Sequence, residues 1–558
     1  MISACTDELK RKIGQMMVVG FPGGEEGYEQ LERVLKSTAA GNIILFSRNF
    51  ATAEEAHAVI AEVNRRVQAA TGARPLVCLD QEGGIVARIR QGVTPIPGAM
   101  AIGAAYGAGR ISLHDVREIG RICGSELAAI GVNWNLAPVV DVNVNPDNPV
   151  IGVRSFGEEP ELVADLASAY LAGLESAGVA GTAKHFPGHG DTNMDSHLSL
   201  PLIPHGMERL EKVELVPFKR LIAENVPVVM TAHVRFPAVE PDELPATLSK
   251  RVLTGLLRGK LGYRGLITTD CLEMKAIAGR FEDAAARAVE AGADFVMISH
   301  TAEAQEAAFE SIVKFIEAGR ITEAQIDESV ARIAAAKKKL PAFVEDWSAA
   351  KPLLGLEASE TEVEKVSRAS LSMYRGADFP VGCGSLYIDV EADNLTGVED
   401  GTLPVRAAKA VQKGVAGMNT ISLPPDPEPE LIRETLAKAE SLMSTSASPD
   451  MGIVLGLYNP KAHPAQLELV RGFAAIAAKC HRRFGLVSMR SPYDAAPLSE
   501  MALEAARKAA GQPGCDAPSV LCAYEYSPLS AKMVADFIEG RIRADGRLPS
   551  GVYPRSSR

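Results

Sequence analysis

Between residues 16 and 300 the chain repeats one unit: a short run rich in Val, Ile and Leu, a polar loop, then a stretch with helical apolar spacing. The apolar runs are Met16 to Phe21, Asn42 to Phe46, Leu76 to Leu79, Asn135 to Val142, Val179 to Ala183, Val228 to Thr231, Gly265 to Thr269 and Asp294 to Ile298. Such short, continuous runs read as strands buried on both faces, the condition of a parallel sheet. Between them, Glu161 to Ala177 places Leu162, Leu166, Tyr170, Leu171 and Leu174 at three- and four-residue spacing, the mark of an amphipathic helix. Open doubly wound sheets usually stop at about five to seven strands, whereas eight βα units close on themselves. The sequence therefore predicts an α/β fold with an N-terminal (β/α)8 TIM-like barrel over residues 1–340.

A chain of 558 residues exceeds what one core usually supports, so a second domain is expected. Pro341 to Glu357 carries two prolines and a Trp and breaks the βα rhythm, which reads as a linker. Beyond it, residues 358–558 offer strand candidates Leu386 to Val390, Ile453 to Leu457, Leu486 to Met489 and Val520 to Tyr524. Helical stretches, including Glu428 to Met443 and Glu500 to Ala510, lie between them. This pattern predicts a smaller αβα sandwich domain with a scaffolding or dimer-forming role, in a chain that is a monomer or homodimer. Leu423 to Pro429 is Pro-rich and reads as a surface connection.

Composition narrows the function classes. A formal charge of −12 without a Lys/Arg cluster argues against nucleic acid and anionic membrane surfaces as partners. No apolar run approaches the ~18 residues of a membrane helix, and Met1 to Lys10 lacks the basic start and apolar core of a secretory signal, so a cytoplasmic location is expected. The eight cysteines form no CxxC pair and no close metal-ligand rhythm; they read as reduced thiols, with Cys78 and Cys522 as small buried hydrophobes. What remains is a small or neutral substrate.

The chemistry gathers at strand ends. Asp80, Asp141, Lys184 with His185, His233 and Asp270 each sit at or near the carboxyl end of a different strand candidate, the face on which barrel sites are built. Lys184 to His197 is the densest stretch, with three histidines, two aspartates at 191 and 195, and glycines at 188 and 190 that permit a tight turn. Asp195, two residues before His197, can orient the imidazole and support it as a general acid/base. His185, His189, Asp191, Asp195 and His197 could offer metal ligands, yet the run is too rich in Gly and Pro for a helical His-x-x-x-His site and has no thiolate near, so no metal is expected. The glycines lack the Lys-Ser/Thr of a phosphate loop, and Gly83-Gly84 forms no dinucleotide fingerprint, so no cofactor is expected. Asp270, flanked by apolar residues, reads as a nucleophile or a stabiliser of a cationic transition state, with an N-cap role as the structural alternative.

Together these residues resemble glycoside hydrolase family 3, in particular its bacterial β-N-acetylglucosaminidases of the cell-wall recycling type. Lys184 to Gly190 followed by Asp195-Ser196-His197 resembles that group's acid/base loop, and Thr269 to Met274 its nucleophile motif. Asp80 to Gly84 with Arg88, and Ile151 to Gly157, resemble its sugar-binding segments, and Gly546 to Pro549 the end of its sandwich domain. The resemblance implies a retaining exo-glycosidase that removes terminal N-acetylglucosamine from peptidoglycan fragments, chito-oligosaccharides or aryl glycosides. Asp270 would form the covalent glycosyl-enzyme, and His197 with Asp195 would act as acid/base. Asp80, Arg88, Arg154, Lys184 and His185 would hold the sugar. His233 could contact substrate or support the site from behind, and His189 and Asp191 would mainly hold the loop's shape. Ile85, where relatives more often have Arg, and Cys271, where an acidic residue is frequent, depart from the family pattern. Two alternatives stay open: a phosphorylase using phosphate in place of water, since an imidazole repels phosphate less than a carboxylate, and a non-catalytic sugar-binding protein.

Overall fold

The computed structural model describes residues 6–194, 199–341, 343–379, 384–392, 407–445, 448, 450–511 and 516–552. The first sheet contains β1 (Met17–Val19), β2 (Asn42–Ile44), β3 (Leu76–Leu79), β4 (Trp134–Asn135), β5 (Thr182–Phe186), β6 (Val228–Thr231), β7 (Leu266–Cys271) and β8 (Phe295–Ile298). Its pairings are parallel and follow chain order, and β8 returns to β1 through Val18↔Met297. Between β4 and β5 closure is made by two parallel bridges, Trp134↔Ala180 and Val139↔Lys184. There the Asn135 N–H donates to the Ala180 carbonyl at 2.8 Å and the Val140 N–H to the Lys184 carbonyl at 2.7 Å. The run Asn135 to Val142 is thus one short strand plus an extended segment, because Pro138, which follows a cis peptide, has no N–H for a continuous ladder. The eight strands close as the apolar runs predict, and Val18, Ile43, Val77, Ile267 and Val296 are fully buried.

The second sheet consists of β9 (Ser372–Arg375), β10 (Leu386–Val390), β11 (Asn419–Leu423), β12 (Gly452–Leu457), β13 (Arg483–Ser488) and β14 (Ser519–Cys522), in the order β9-β14-β13-β12-β10-β11. All pairs are parallel except β9 with β14. Alternation along the strands builds two cores. Tyr387, Val454, Val487 and Leu521 pack with the helices Ala407–Gly414 and Pro528–Ile538, whereas Ile388, Leu455, Leu486 and Val520 pack with Pro429–Thr445, Ala465–Lys479 and Ala495–Ala510. Helices therefore cover both faces, as an αβα sandwich requires. Two strands escape the sequence pattern, β9 and β11, both edge strands carrying polar or partly exposed residues. β11 runs into the Pro-rich connection at Leu423. Residues 341–357 contain a short helix, Trp347–Ala350, and are strapped to the barrel where His57 Nε2 meets the Val344 carbonyl at 2.8 Å and Phe343 and Trp347 pack on the His57 ring.

The sandwich touches the barrel close to the carboxyl ends of its strands. Gly98 N–H donates to Glu525 Oε2 at 2.6 Å, Asn143 to the Tyr493 hydroxyl at 3.1 Å, and Ser550 Oγ to Glu158 at 2.6 Å. The short hairpin after β3, Gln81–Gly83 with Val86–Ala87, lies beneath this contact: a Cβ on Gly84 would come within 2.9 Å of Glu525 Oε2.

Candidate active site

At the end of β3 the chain passes from a fully buried strand into the hairpin, and Asp80 and Glu82, two residues apart, face the same side as extended backbone requires. Gln81 points the other way and pins the hairpin's return: its Oε1 accepts the N–H groups of Arg88 (2.9 Å) and Ile89 (3.1 Å). Arg88 is thereby carried back to Asp80, and its Nη2 donates to Asp80 Oδ2 at 2.9 Å. Lys184, on β5, donates to Asp80 Oδ1 at 2.7 Å and lies 2.7 Å from Glu82 Oε1. Arg154 closes the group with a two-pronged pair on Glu82, at 2.7 and 2.9 Å. Five charges are thus interlocked in a region where Lys184 is 1% and Arg154 and Arg88 4% exposed.

Burial by itself would raise the pKa of Asp80, but Lys184 and Arg88 outweigh it and hold the carboxyl well below the usual range. Glu82 is also lowered: burial opposes ionisation, and Arg154 and Lys184 overcome it. Lys184 shows the reciprocal balance, with burial opposed by Asp80 and Glu82, and its pKa is raised. Asp80, Glu82, Lys184 and Arg154 stay charged because their neighbours do.

Asp141 organises a second group. It is 1% exposed; its Oδ2 lies 2.7 Å from His185 Nδ1, and its Oδ1 accepts the His189 backbone N–H at 2.6 Å. Burial raises and His185 lowers the Asp141 pKa, and the net shift is downward. An ionised Asp141 accepts at both oxygens, so His185 Nδ1 carries the donated proton and Nε2 is the ring nitrogen turned to other partners. The His189 ring sits edge-on to His185, with its Nδ1 2.9 Å from the Thr192 hydroxyl; burial pushes its pKa down to about 4. Gly190 lets the loop press on the barrel: a Cβ there would fall 1.9 Å from the Val142 carbonyl oxygen.

One cavity of about 380 Å³ is lined by Asp80, Arg88, Arg154, Lys184, His185 and Asp270. The structure therefore brings together five proposed sugar-holding residues and the proposed nucleophile, drawn from the segment after β3 and its hairpin, from β5 and β7, and from the 3-10 turn Gly152–Arg154. Asp270 is the penultimate residue of β7, and its Oδ1 accepts the Cys271 N–H at 2.7 Å. Larger clefts exist, including one of about 850 Å³ bordered by Met100, Phe156 and Leu548, but the convergence of buried charges makes the smaller cavity the candidate site.

His233 stands behind this wall, with Nδ1 2.8 Å from the Thr247 hydroxyl and Nε2 2.9 Å from the Cys271 carbonyl, so it braces the strand end that carries Asp270. Asp191 meets His205 at 2.6 Å and ties its loop to the following segment. Asp195 and His197 lie outside the described residues. Sequence reading gave no role to Glu82, although it stands in the Asp80 to Gly84 motif, and no partner to Asp141. The cavity wall further includes Arg48, Cys271, Glu273 and His300.

Comparison with known proteins gives the family. Residues 8–336 match the glycosyl hydrolase family 3 N-terminal domain. The chain is 30% identical over 513 residues to β-hexosaminidase A of Pseudoalteromonas piscicida, covering 85% of this chain and 84% of that protein. It is 39% identical over 296 residues to a β-hexosaminidase of Alkalilimnicola ehrlichii, covering 52% of this chain and 81% of that one. Among solved structures, a glycoside hydrolase family 3 β-N-acetylglucosaminidase from Paenibacillus superposes with a TM-score of 0.85 at 36% identity, covering 97% of this chain and 98% of that one. The chain is an enzyme of glycosyl hydrolase family 3.

Proposed function

We propose that this enzyme is a retaining exo-β-N-acetylglucosaminidase, with Asp270 as nucleophile and His197, supported by Asp195, as the proton donor and acceptor. The observation that carries the reading is one small cavity shared by Asp270, by the interlocked charges of Asp80, Arg88, Arg154 and Lys184, and by His185. The relatives named β-hexosaminidase or β-N-acetylglucosaminidase support the choice of sugar. A volume of about 380 Å³ is at the low end of ligand pockets, about 300–1,000 Å³, and suits a single terminal sugar ring. Peptidoglycan fragments and chito-oligosaccharides are the proposed sources of that sugar.

In the first step the Asp270 carboxylate attacks the anomeric carbon while the imidazolium of His197 protonates the leaving oxygen; in the second, neutral His197 removes a proton from water, which displaces Asp270. Retention follows from the two inversions. Asp80, whose oxygens are held by Lys184 and Arg88, can use its remaining lone pairs to accept hydrogen bonds from sugar hydroxyls. Such fixed polar groups are worth most where they tighten as the oxocarbenium ion develops.

The test is to incubate the enzyme with a 2-deoxy-2-fluoro or 5-fluoro glycoside, digest it, and locate the adduct by mass spectrometry. The expected adduct is on the peptide carrying Asp270; an adduct elsewhere, or full turnover of an aryl N-acetylglucosaminide by Asp270→Asn, would refute the assignment. Running the reaction with and without phosphate separates hydrolysis, which yields free sugar, from phosphorolysis, which yields sugar 1-phosphate.

A further inference from the structure

On the cavity wall beside Asp270 stand three side chains of differing chemistry: Cys271, the last residue of β7, Glu273 in the turn that follows, and His300, just beyond β8. Their ligand atoms, one sulfur, one carboxylate oxygen and one ring nitrogen, all lie within 4.8 Å of one another. We propose that Cys271, Glu273 and His300 bind a thiophilic divalent cation of the zinc class at the rim of the sugar cavity, and that its binding inhibits turnover.

The ligand set selects the cation. A thiolate with an imidazole and a carboxylate matches zinc, whereas magnesium and calcium prefer oxygen ligands. Two ligands about 2.0–2.3 Å from zinc at the tetrahedral angle are about 3.3–3.8 Å apart. Side-chain movements of about 1 Å would therefore bring the three atoms from their present spacing onto one ion. Three protein ligands leave a fourth position for water or a substrate oxygen.

The surroundings hold all three ligand residues in place. Glu273 Oε1 accepts both the Thr301 N–H (3.1 Å) and the Thr301 hydroxyl (2.8 Å), and Oε2 accepts the His300 N–H at 2.6 Å. Oε1 thus has both lone pairs engaged and Oε2 keeps one, which makes Oε2 the ligand atom. The same bonds fix the backbone of His300, whose ring stacks on Phe46 at 5.7 Å and whose carbonyl accepts Gln30 Nε2 at 2.9 Å. Cys271 is fixed through its carbonyl, which meets His233 Nε2. Binding would release the thiol proton to solvent and place a dication one residue from Asp270, where it would offset the nucleophile's charge and disfavour the cationic transition state. That inhibitory consequence rests on the proposed glycosidase mechanism; the cation site itself does not.

The full chain is titrated with cobalt(II) as a spectroscopic stand-in for zinc, and separately its turnover is measured against zinc sulfate with magnesium and calcium as controls. A thiolate-to-cobalt charge-transfer band that saturates at one equivalent is expected, absent in Cys271→Ser and weakened in His300→Ala. Inhibition by zinc, but not by magnesium or calcium, should reverse with chelator. Losing a partner that merely orients a metal ligand usually costs about 10–100-fold in affinity, so losing a ligand should raise the half-inhibitory zinc concentration by at least about tenfold in both variants, each compared with its own zinc-free rate. No charge-transfer band in the parent enzyme, an equal band in Cys271→Ser, or equal zinc sensitivity in parent and variants would overturn the proposal. Because the cobalt band needs no turnover, an enzyme inactive on every N-acetylglucosaminide would refute the glycosidase reading while the cation site is still decided. His300 is exposed, so His300→Ala keeps the test intact if Cys271→Ser does not fold.

Discussion

In an Asp141→Asn variant the side-chain volume is kept, but one oxygen becomes an NH2 group, and the His189 backbone N–H decides which way the amide turns. That N–H donates to Oδ1 at 2.6 Å and cannot reverse its role. The amide oxygen must stay there, which sets the new NH2 against His185 Nδ1, now 2.7 Å from a carboxylate oxygen. His185 then has to accept at Nδ1, and its proton moves to Nε2. The opposite amide orientation places NH2 against N–H, two donors facing each other in a buried site. Either outcome removes one charge-assisted hydrogen bond, about 1.5–3 kcal/mol. If the orientation of His185 is expressed in the transition state, kcat/KM falls by roughly 10- to 150-fold. The assay is hydrolysis of an aryl N-acetylglucosaminide, with circular dichroism to verify the fold and nitrogen NMR of labelled histidine to read the tautomer. A fall of less than about twofold, with the tautomer unchanged, would refute this account of Asp141.

Further outcomes are expected elsewhere. Glu82→Gln leaves Arg154 and Lys184 buried with one carboxylate fewer, and breaking such a cluster should cost about 3–5 kcal/mol, read as a lower urea midpoint; an unchanged midpoint would contradict the coupling. His189 has a folded pKa of about 4 against an ordinary value of 6.5, because burial disfavours its charged form. The unfolded chain therefore takes up that proton first: the contribution is complete above about pH 6.5 and is lost as pH falls to about 4, about 3 kcal/mol in all. His189→Gln should flatten the stability curve in that window, and a slope equal to the parent's would count against it. Asp80, Glu82 and Asp141, all depressed, contribute stability present above the ordinary carboxylate range and lost at lower pH as they protonate, so their effect falls in a more acidic window. Gly84→Ala puts a Cβ at a φ of +56°, 2.7 Å from Gly98 Cα and 2.9 Å from Glu525 Oε2, and should cost about 2–4 kcal/mol while exposing the Gly98 amide to hydrogen exchange; protection equal to the parent's would show that the domains seat without this contact.

Legibility in the sequence followed how local each signal is. Buried barrel strands are short, continuous apolar runs, a property of neighbouring residues, so all eight were visible, including the one that Pro138 interrupts. The edge strands β9 and β11 were not: Met373 to Arg375 and Asn419 to Ser422 keep partial or full exposure, and their ladder partners are distant in sequence. Asp80, Lys184 and Asp270 stood out because a charged residue ending an apolar run is conspicuous. Glu82 did not, because its importance lies in Arg154 and Lys184, neither of which is near it in the chain.

By itself, then, the sequence determined the barrel, the alternation that splits the second domain into two faces, and the strand ends where chemistry could gather, since hydrophobic period and turn residues act over a few positions. Tertiary structure decided which of those ends share one cavity, that Asp80 and Glu82 remain ionised though buried, that Asp141 directs His185, and that Cys271, Glu273 and His300 come together. Charge interactions strengthen steeply as distance and local dielectric fall, and both quantities exist only once the strands have closed around the site.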